Sequence, residues 1–467
     1  MRSYEPLDYE KQALSVLLYL LFDTIIINGG VFFMSKISTN SDTKEIALTI
    51  YNGGFGAVKE SRTIHLDGAE QEIIYADVAQ KIETDSLIVE GINVLEFNYD
   101  FDLVDRDKLL RKYVDKEVYL KDRKTGEKKL CRLLSAEGGG RCVLEDIETK
   151  EIYLDTQAEI VLPSLPSGLI VKPALVWKTD GKSAENIQVS YLSGGFNWIA
   201  NYVVELKEKT LNLIGWAEVE NKSGMTFENA KIKLIAGDVN RVKNDEVELQ
   251  TRYYVCESAG APQAEEKAFF DYHMYTLSHS TTLKDNQSKQ ICILSGNQIS
   301  YKQYYKLDLH EEKADIILEF KNCIEDGLGI AMPKGKIKLY KEDEADQSLE
   351  FIGEDQIDHT SKDELLKLTI GKAFDIVYEY NEVDRKKIGG FEHYKFECII
   401  RNHKETEVEI LFEPYIWGVW EMVESSHTYT KRSSTQLEYQ ITVAANNEAL
   451  VRFEYKIDRR TEVVVKK

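Results

Sequence analysis

The sequence is poor in the residues that mark disordered or disulfide-stapled chains. It has 7 prolines in 467 residues, 43% of the residues are hydrophobic and 10% are aromatic. This composition excludes a disordered chain and suits packed cores, and domains of about 100–200 residues imply roughly three units at this length. The 6 cysteines occur without a CxxC pair or a zinc-type spacing with histidine. We therefore expect reduced, mostly buried thiols and no disulfide framework.

Short catalytic and nucleotide-binding motifs are also missing from the sequence. It contains no GxSxG, HExxH or P-loop pattern, and no GxGxxG opens a helix after a strand. The three glycines at 138–140 precede a strand rather than a helix, so they indicate a hairpin turn and not a phosphate-binding loop. Cys131 and Cys142 flank this turn, where two small core residues are favoured and a disulfide is the alternative. The sequence predicts no cofactor.

Positive charge is scarce in this chain. Lys and Arg number 59 against 80 Asp and Glu, which gives a formal net charge of −21. The acidic residues are spread along the sequence, so the surface repels phosphate backbones and nucleic acid is not an expected partner. The unpaired cysteines fit a reducing compartment, and we expect a cytoplasmic location.

An apolar run near the beginning of the chain has three interpretations. Residues 13–34 are rich in apolar side chains, but Asp23 and Gly29-Gly30 interrupt them, and the residues before the run lack the basic excess of a signal peptide. A membrane span needs about 20 unbroken apolar residues with a basic flank. Gly29-Gly30 is also compatible with an encoded ribosome-binding sequence. We favour a translated leader that ends before a native start at Met34; a membrane or export segment and a folded helix are the alternatives.

A period of two dominates the rest of the sequence. Ile46, Leu48 and Ile50 alternate along one segment, and the same spacing recurs at 366–370 and 451–455. Glycine-rich turn signals separate such segments at intervals of about 8–12 residues. Helical spacing is clearest at 107–113, which is two turns at most. The pattern predicts an all-β, multi-domain protein of antiparallel β-sandwiches with a small SH3-like barrel as an insert.

Breaks in the strand pattern predict the domain boundaries. Pro163, Pro166 and Pro173 lie within eleven residues, and because proline is poorly tolerated inside a sheet this is the best linker in the chain. After the leader at 1–33, we expect an N-terminal β domain at 34–106 and a small β-barrel-like module at 107–165. A central β-sandwich at 166–300 and a C-terminal β-sandwich at 301–467 follow.

Several glycine-rich β segments carry a family resemblance. They include YLSGGFNWIANY at 191–202, GWAEVENKSGMTFENAKIKLIAGDVN at 215–240, LPSLPSGLIVKPALVW at 162–177 and FIGEDQIDHTSKDE at 351–364. In order and spacing they resemble a bacterial domain family related to the mucoidy inhibitor A-like proteins. The resemblance implies a multi-domain β protein and no site residue, because the family has no assigned catalytic residues. This chain lacks the heptads of the coiled-coil region in the longer members, which weakens an envelope or exopolysaccharide role.

Clustered aromatic residues are the candidate binding site. Tyr415, Trp417 and Trp420 surround Gly418, and strand alternation places Tyr415 and Trp417 on one face. Core packing is favoured for these rings, but a bend at Gly418 would instead expose a face to a sugar or to partner side chains. Other large aromatics, among them Trp198 and Trp216, are expected in the core.

The richest cluster of metal-ligand residues comprises Asp355, Asp358 and His359. Loop carboxylates at alternate positions suit Ca²⁺, but the spacing of an EF-hand is missing. A period of two also places Asp355 and Asp358 on opposite faces of a strand. A solvated strand and turn is therefore favoured over a metal site.

These features together predict a binding protein rather than an enzyme. The expected partner is a protein or a carbohydrate, bound by contacts on a rigid β scaffold. One alternative is a glycan-acting hydrolase that uses carboxylates at a domain junction. Another is an envelope-associated structural protein, which requires a genuine membrane segment at 13–34. A cleft of carboxylates with perturbed pKa values would indicate an enzyme, and a shallow aromatic surface would indicate binding.

Overall fold

The computed structural model describes residues 34–68, 70–100, 105–137, 141–154, 156, 158–164, 172–237, 239–241, 264–309, 311 and 313–460. The predicted leader at 1–33, the glycine turn at 138–140 and Cys256 lie outside these residues. The interpretations that depend on them stay predictions.

Almost all the regular structure is β-strand. The strands before residue 162 are β1 (Met34–Ser38), β2 (Thr43–Tyr51), β3 (Phe55–Leu66), β4 (Glu70–Ala76), β5 (Ile82–Glu90), β6 (Val94–Asp100), β7 (Glu117–Lys121), β8 (Lys128–Ala136), β9 (Cys142–Asp146), β10 (Ile152–Leu154) and β11 (Glu159–Val161). Those between 174 and 321 are β12 (Ala174–Thr179), β13 (Ala184–Gly194), β14 (Phe196–Leu206), β15 (Thr210–Asn221), β16 (Phe227–Ala236), β17 (Ala264–Phe269), β18 (Tyr272–Leu277), β19 (Thr281–Leu283), β20 (Gln287–Leu307) and β21 (Lys313–Lys321). The remaining strands are β22 (Gly335–Glu342), β23 (Leu349–Ile357), β24 (Leu365–Ile388), β25 (Phe391–Asn402), β26 (Val408–Phe412), β27 (Trp420–Ser425), β28 (Thr430–Lys431), β29 (Leu437–Val443) and β30 (Asn447–Asp458).

Helical structure in the described residues is limited to a 3-10 turn, Asn40–Asp42, and one α-helix, α1 (Arg106–Lys112). The Asp105 carboxylate accepts a hydrogen bond from the Lys108 backbone N–H at 2.8 Å and so caps the N-terminus of α1. The helix predicted at 107–113 is therefore confirmed within a residue at each end.

The chain forms two compact units that are discontinuous in sequence. The first comprises the chain up to Asn197 together with Glu220–Ile232 and Ser280–Gln287. The second comprises Trp198–Val219, Lys233–His279 and the chain from Ser288 onward. The predicted domains, in contrast, are consecutive segments. β16, for example, begins in one unit and ends in the other, and the predicted domain boundaries stay predictions.

The first unit contains two sheets packed face to face. One has the order β1-β4-β12-β6, and the other includes β2, β3, β13 and β5 in that order. Alternate residues of β3 are buried, among them Arg62, and the Arg62 guanidinium lies over the ring of Tyr75 on β4. Tyr75 in turn stacks on Trp177 of β12, with ring centroids 4.9 Å apart. The predicted β-sandwich architecture is thus present, with a polar group at its centre.

A small five-stranded module also belongs to the first unit. Its order is β10-β9-β8-β7-β11, a meander whose last strand returns beside its first, and α1 packs on the same core. Cys131 and Cys142 are buried in that core as free thiols, and the cross-strand partner of Cys142 is Ala136. The two outer strands, β10 and β11, are not hydrogen-bonded to each other in the described residues, so the expected barrel is an open sheet by this criterion.

The second unit contains long strands that pair with different neighbours along their length. β24 pairs with β21 over its first half and with β25 over its second half, which continues one sheet through β30 to β27. A second layer of β26 and β29 covers this sheet. Rings from both layers meet in the core, where Phe412 and Tyr439 pack on Phe453. Parallel pairing occurs at β1–β4, β14–β22 and β20–β26, whereas the sequence predicted antiparallel sheets.

A buried asparagine closes a loop at the end of a strand in each unit. Asn221 ends β15, and its side-chain N–H groups reach the backbone oxygens of Met225, Leu283 and Lys284. Asn402 ends β25 and reaches the oxygens of Thr406, Val443 and Ala444 in the same way. In both cases the side-chain oxygen accepts from the backbone N–H two residues later. Each asparagine thereby satisfies loop carbonyls that strand pairing leaves open.

Candidate functional site

The chain between β26 and β27 exposes alternate large side chains. Pro414 and Ile416 are buried, and Ile416 belongs to the core of the C-terminal sandwich. The Ile416 backbone N–H donates to the Thr435 oxygen at 2.7 Å, which holds this segment extended. Tyr415 and Trp417 therefore share a face, as their alternation indicated, and that face points outward.

We call the exposed side chains Tyr415, Trp417 and Val419 the aromatic strip. Tyr415 is 50% exposed and Trp417 is 74% exposed, and Val419 is more exposed still. The two rings meet edge to face with centroids 4.7 Å apart, so each limits the freedom of the other. Gly418 has φ +86°, a left-handed conformation that strongly favours glycine, and it turns the chain after Trp417. The strip is thus an ordered apolar surface.

Trp420 does not belong to the aromatic strip. It is partly buried against the core, and its indole N–H donates to the Ser434 oxygen at 2.6 Å. The Lys431 ammonium lies 4.2 Å from its ring centroid. Of the three predicted binding residues, the structure therefore brings Tyr415 and Trp417 together and places Trp420 in a supporting position.

A polar groove begins beside Tyr415. Tyr415 and Gln436 line a cleft of about 550 Å³ together with outward-facing side chains of β20, β21, β24 and β26. A second cleft of about 500 Å³ lies on the same face and shares Tyr304, Lys367 and Leu411 with the first. We call these two clefts together the polar groove. Strand alternation points their charged residues away from the core, and apolar side chains such as Leu309 and Leu411 also line the clefts.

The charges of the polar groove are paired across strands. Lys306 contacts Glu413 at 2.7 Å, and Lys302 contacts Glu409 at 2.5 Å. The hydrogen bond from Arg432 lowers the pKa of Glu438, and the hydrogen bond to Glu319 raises the pKa of Lys367. Both shifts favour the charged forms. The groove therefore offers charged donors and acceptors that are paired with each other.

The residues of the predicted metal cluster point to different partners. Both oxygens of Asp355 accept backbone N–H groups, from Gln356 at 2.8 Å and from Thr369 at 2.7 Å. Asp358 is exposed and lies 3.7 Å from the Lys334 ammonium, and His359 Nδ1 accepts from the Lys334 backbone N–H. Within the part of the chain that the structure describes, no group of three or more His, Cys, Asp or Glu side chains is arranged to hold a metal ion.

Two further tryptophans, Trp198 and Trp216, differ in how deeply they are buried. Trp198 is fully buried, and its indole N–H donates to the Ile235 oxygen at 3.0 Å, as expected for a core residue. Trp216, which was also expected in the core, is only partly buried, because its neighbours Gly215 and Ala217 occupy the inward positions of β15. Aromatic character alone does not decide which face of a strand a residue takes.

Sequence reasoning missed the polar groove. The usable signal was the spacing of charged residues along the chain, such as Lys302 and Lys306 on β20, and Glu409 on β26 with Glu413 just after its end. Their pairing depends on β20 and β26 lying side by side in parallel, although about a hundred residues separate them in the chain. No local pattern predicts that neighbour.

The helices and cysteines of the described residues say little about what kind of protein this is. Over the described ranges, no helix is both long and apolar enough to cross a membrane, and the described cysteines are free and buried. No protein-family model and no curated protein matches the chain, so the assignment of its site depends on the geometry of the aromatic strip and the polar groove.

Proposed function

We propose that this protein is a non-enzymatic binding protein that recognises a carbohydrate chain through the aromatic strip and the polar groove. The observation that carries the proposal is the exposed, mutually packed pair of Tyr415 and Trp417, in which Tyr415 lines a groove with paired charges. A sugar ring has an apolar C–H face and a rim of hydroxyl groups. The aromatic strip can pack against the apolar face of the sugar, and the charged groups of the polar groove can form hydrogen bonds with its hydroxyl groups.

The size of the strip favours a carbohydrate over a protein partner. Aromatic side chains bury about 150–250 Å² each, so two rings cover far less than the roughly 800 Å² per partner of a standard protein interface. An extended chain of sugars does not need a wide interface, because it gains contacts one residue at a time along a groove. The groove extends from Tyr415 past Tyr304 to Arg432 and Glu438.

The electrostatics of the groove favour binding over hydrolysis. A glycoside hydrolase requires a carboxylic acid whose pKa is raised, next to a second carboxylate. In the groove, Glu413 and Glu409 are each held by a lysine, and the pKa of Glu438 is lowered by Arg432. Such carboxylates accept hydrogen bonds from hydroxyl groups without taking part in acid catalysis.

Lineage and location remain part of the proposal. The similarity of the glycine-rich segments supports a relation to the mucoidy inhibitor A-like proteins, and the free, buried cysteines support a cytoplasmic location. The envelope-associated alternative depends on residues 13–34, of which 13–33 lie outside the described residues.

Affinity electrophoresis of the full chain through gels that contain neutral or acidic soluble polysaccharides tests the proposal. We expect at least one polysaccharide to retard the protein, and we expect Trp417→Ala and Tyr415→Ala to weaken that binding about tenfold or more. Phe374→Ala is the matched control, because Phe374 is 83% exposed on β24 and does not line the groove.

Two results would contradict a carbohydrate partner. One is migration that no polysaccharide changes. The other is retardation that Trp417→Ala and Phe374→Ala leave equally strong. If a protein from the native organism instead binds the wild type and not Trp417→Ala, the strip is a protein interface and the carbohydrate proposal fails.

A further inference from the structure

The first unit has a cleft of its own, lined by other residues than those of the polar groove. Its volume is about 540 Å³. Buried apolar side chains form its floor, namely Ile46, Val78, Pro173 and Met225. Its remaining lining is polar and includes Asn40, Asp77, Lys172 and Glu228. The cleft therefore combines an apolar base with a few placed polar groups, as small-molecule sites do.

The buried Arg62 is hydrogen-bonded to two residues that line this cleft, Asn40 and Asp77. The Arg62 guanidinium donates to the backbone oxygens of Ser38 at 3.2 Å, Ala76 at 2.8 Å and Asp77 at 3.3 Å. It also donates to the Asn40 side-chain oxygen at 3.3 Å. Because Arg62 is fully buried, these bonds are shielded from water and fix the positions of Asn40 and Asp77 relative to each other.

The charge of Arg62 is already balanced without Asp77. Glu60 is fully buried and accepts from Arg62 Nε at 2.8 Å and from Nη2 at 3.1 Å. This bidentate pair is neutral as a unit. The carboxylate of Asp77 is therefore an additional negative charge at the cleft, and Glu228 on the rim adds another.

Asp77 is held in an unusual conformation with its carboxylate at the cleft. Its φ is +59°, the left-handed region that non-glycine residues seldom adopt, and it is only 9% exposed. One carboxylate oxygen accepts from the Asn40 backbone N–H at 3.2 Å, and the other lies 2.6 Å from the Lys172 ammonium. Lys172 is itself 64% exposed. A nearly buried carboxylate thus depends for its charge partner on a long, solvent-exposed side chain.

We propose that this cleft binds a ligand with a primary ammonium group and a short apolar body, with Asp77 as the counterion. The Lys172 ammonium occupies the position that the ligand's ammonium takes, and Lys172 acts as an internal competitor that leaves when the ligand binds. The apolar body lies over Val78, Pro173 and Met225. The recognised chemistry is that of an aminoalkyl group such as a lysine side chain.

Physical arguments favour this assignment over a purely structural ion pair. A carboxylate removed from water needs a cation or several hydrogen bonds, and Asp77 has one backbone N–H and one lysine. An ion pair with an exposed lysine contributes little, because ordering the long side chain costs entropy. A purely structural role at this backbone conformation would be served equally by asparagine, which tolerates the left-handed region and needs no charge partner. The arrangement instead leaves a fixed anion with an exchangeable cation.

Calorimetric titration of the full chain with N-acetyl-lysine amide tests the proposal. N-acetyl-norleucine amide is the matched probe, since it has a similar apolar side chain and lacks the ammonium group. We expect Lys172→Met to bind the lysine probe about tenfold or more tightly than the wild type, because the tethered competitor is removed. We expect Asp77→Asn in the Lys172→Met background to lose that binding. Asparagine tolerates the left-handed conformation, so this change removes the charge and little else.

Each outcome decides the matter. Binding of the lysine probe but not of the norleucine probe by Lys172→Met supports the proposal. Equal binding of both probes, or binding of neither, overturns it. Binding of inorganic phosphate by the wild type that Lys172→Met abolishes would also overturn it, because Lys172 would then be the recognition group. If Asp77→Asn fails to fold, the comparison of the two probes on Lys172→Met still decides.

Discussion

The guanidinium carbon of Arg62 lies 3.7 Å from the centroid of the Tyr75 ring, and both side chains are fully buried. This contact joins the two sheets of the first unit at a charged group rather than at an aliphatic one. Glu60 neutralises the charge, and backbone oxygens of residues 38, 76 and 77 use the remaining N–H groups. The sandwich therefore depends on the buried hydrogen bonds and ion pair of Arg62, which are costly to leave half made.

The first prediction concerns that network. Glu60→Gln or Arg62→Met alone should lower the free energy of unfolding by about 3–5 kcal/mol, because each leaves a buried group without its partner. The double variant Glu60→Gln/Arg62→Met should cost clearly less than the sum of the two. Urea titrations of the four proteins measure the coupling, and additive losses would show that the pair is not coupled.

The second prediction separates the scaffold from the proposed binding surface. Trp198→Ala should lower the free energy of unfolding by about 3–5 kcal/mol, because it opens a cavity in a close-packed core. Trp417→Ala should change it by no more than about 0.5 kcal/mol, since its ring faces solvent. Denaturant unfolding followed by circular dichroism compares the two. A large loss at Trp417 would mean that the ring supports the fold.

The third prediction concerns acid stability. Hydrogen bonding with Tyr394, Arg385 and Arg459 lowers the pKa of Glu392 to about 2. A carboxyl with a lowered pKa in the folded state stabilises the protein fully above its unfolded pKa of about 4.3, and this stability is lost as the pH falls toward 2. Glu392→Gln should therefore flatten the decline of the melting temperature between about pH 4.5 and 2.

Two controls belong with this acid titration. Glu344→Gln, at an exposed position, should leave the pH profile unchanged. The difference between Glu392→Gln and the wild type should be largest above pH 4.5 and should vanish near pH 2, within about half a pH unit. A constant difference at all pH values would show that the substitution acts through packing and not through the charge.

The fourth prediction concerns the thiols. Cys398 is fully buried, and burial raises its pKa to about 12, so it should react slowly with a disulfide reagent such as DTNB at neutral pH. In denaturant without reductant, all 6 cysteines should titrate. A count of four would indicate a disulfide. Cys131 and Cys142 would be examined first, because both lie in one small core.

Much of the secondary structure could be predicted because its signal is local. Ile46, Leu48 and Ile50 are all buried on β2, as their alternation indicated. The alternation of Tyr415 and Trp417 predicted that both rings share a face. It could not predict that Trp420 would differ, since Trp420 lies beyond the turn at Gly418 and begins a new strand paired with β30.

Features that depend on strand neighbours could not be predicted. The parallel pairing of β14 with β22 joins residues that are about 130 positions apart. The setting of Asp77 depends on Asn40, Arg62 and Lys172, which no sequence motif connects. The discontinuity of the two units in sequence has the same origin, because residues 227–230 of β16 pair with β19 and residues 233–236 pair with β18.

The sequence by itself determined the all-β class, the positions of many strands, the acidic charge and the shared face of Tyr415 and Trp417. Each follows from composition or from a period of two, which act within a few residues. Only the tertiary structure decided which strands are neighbours. It thereby also decided which charges are paired in the polar groove and where the carboxylate of Asp77 lies. These features depend on pairing between strands that are far apart in sequence. The free energy of that pairing comes from the whole packed sheet, so no single segment of the sequence predicts it.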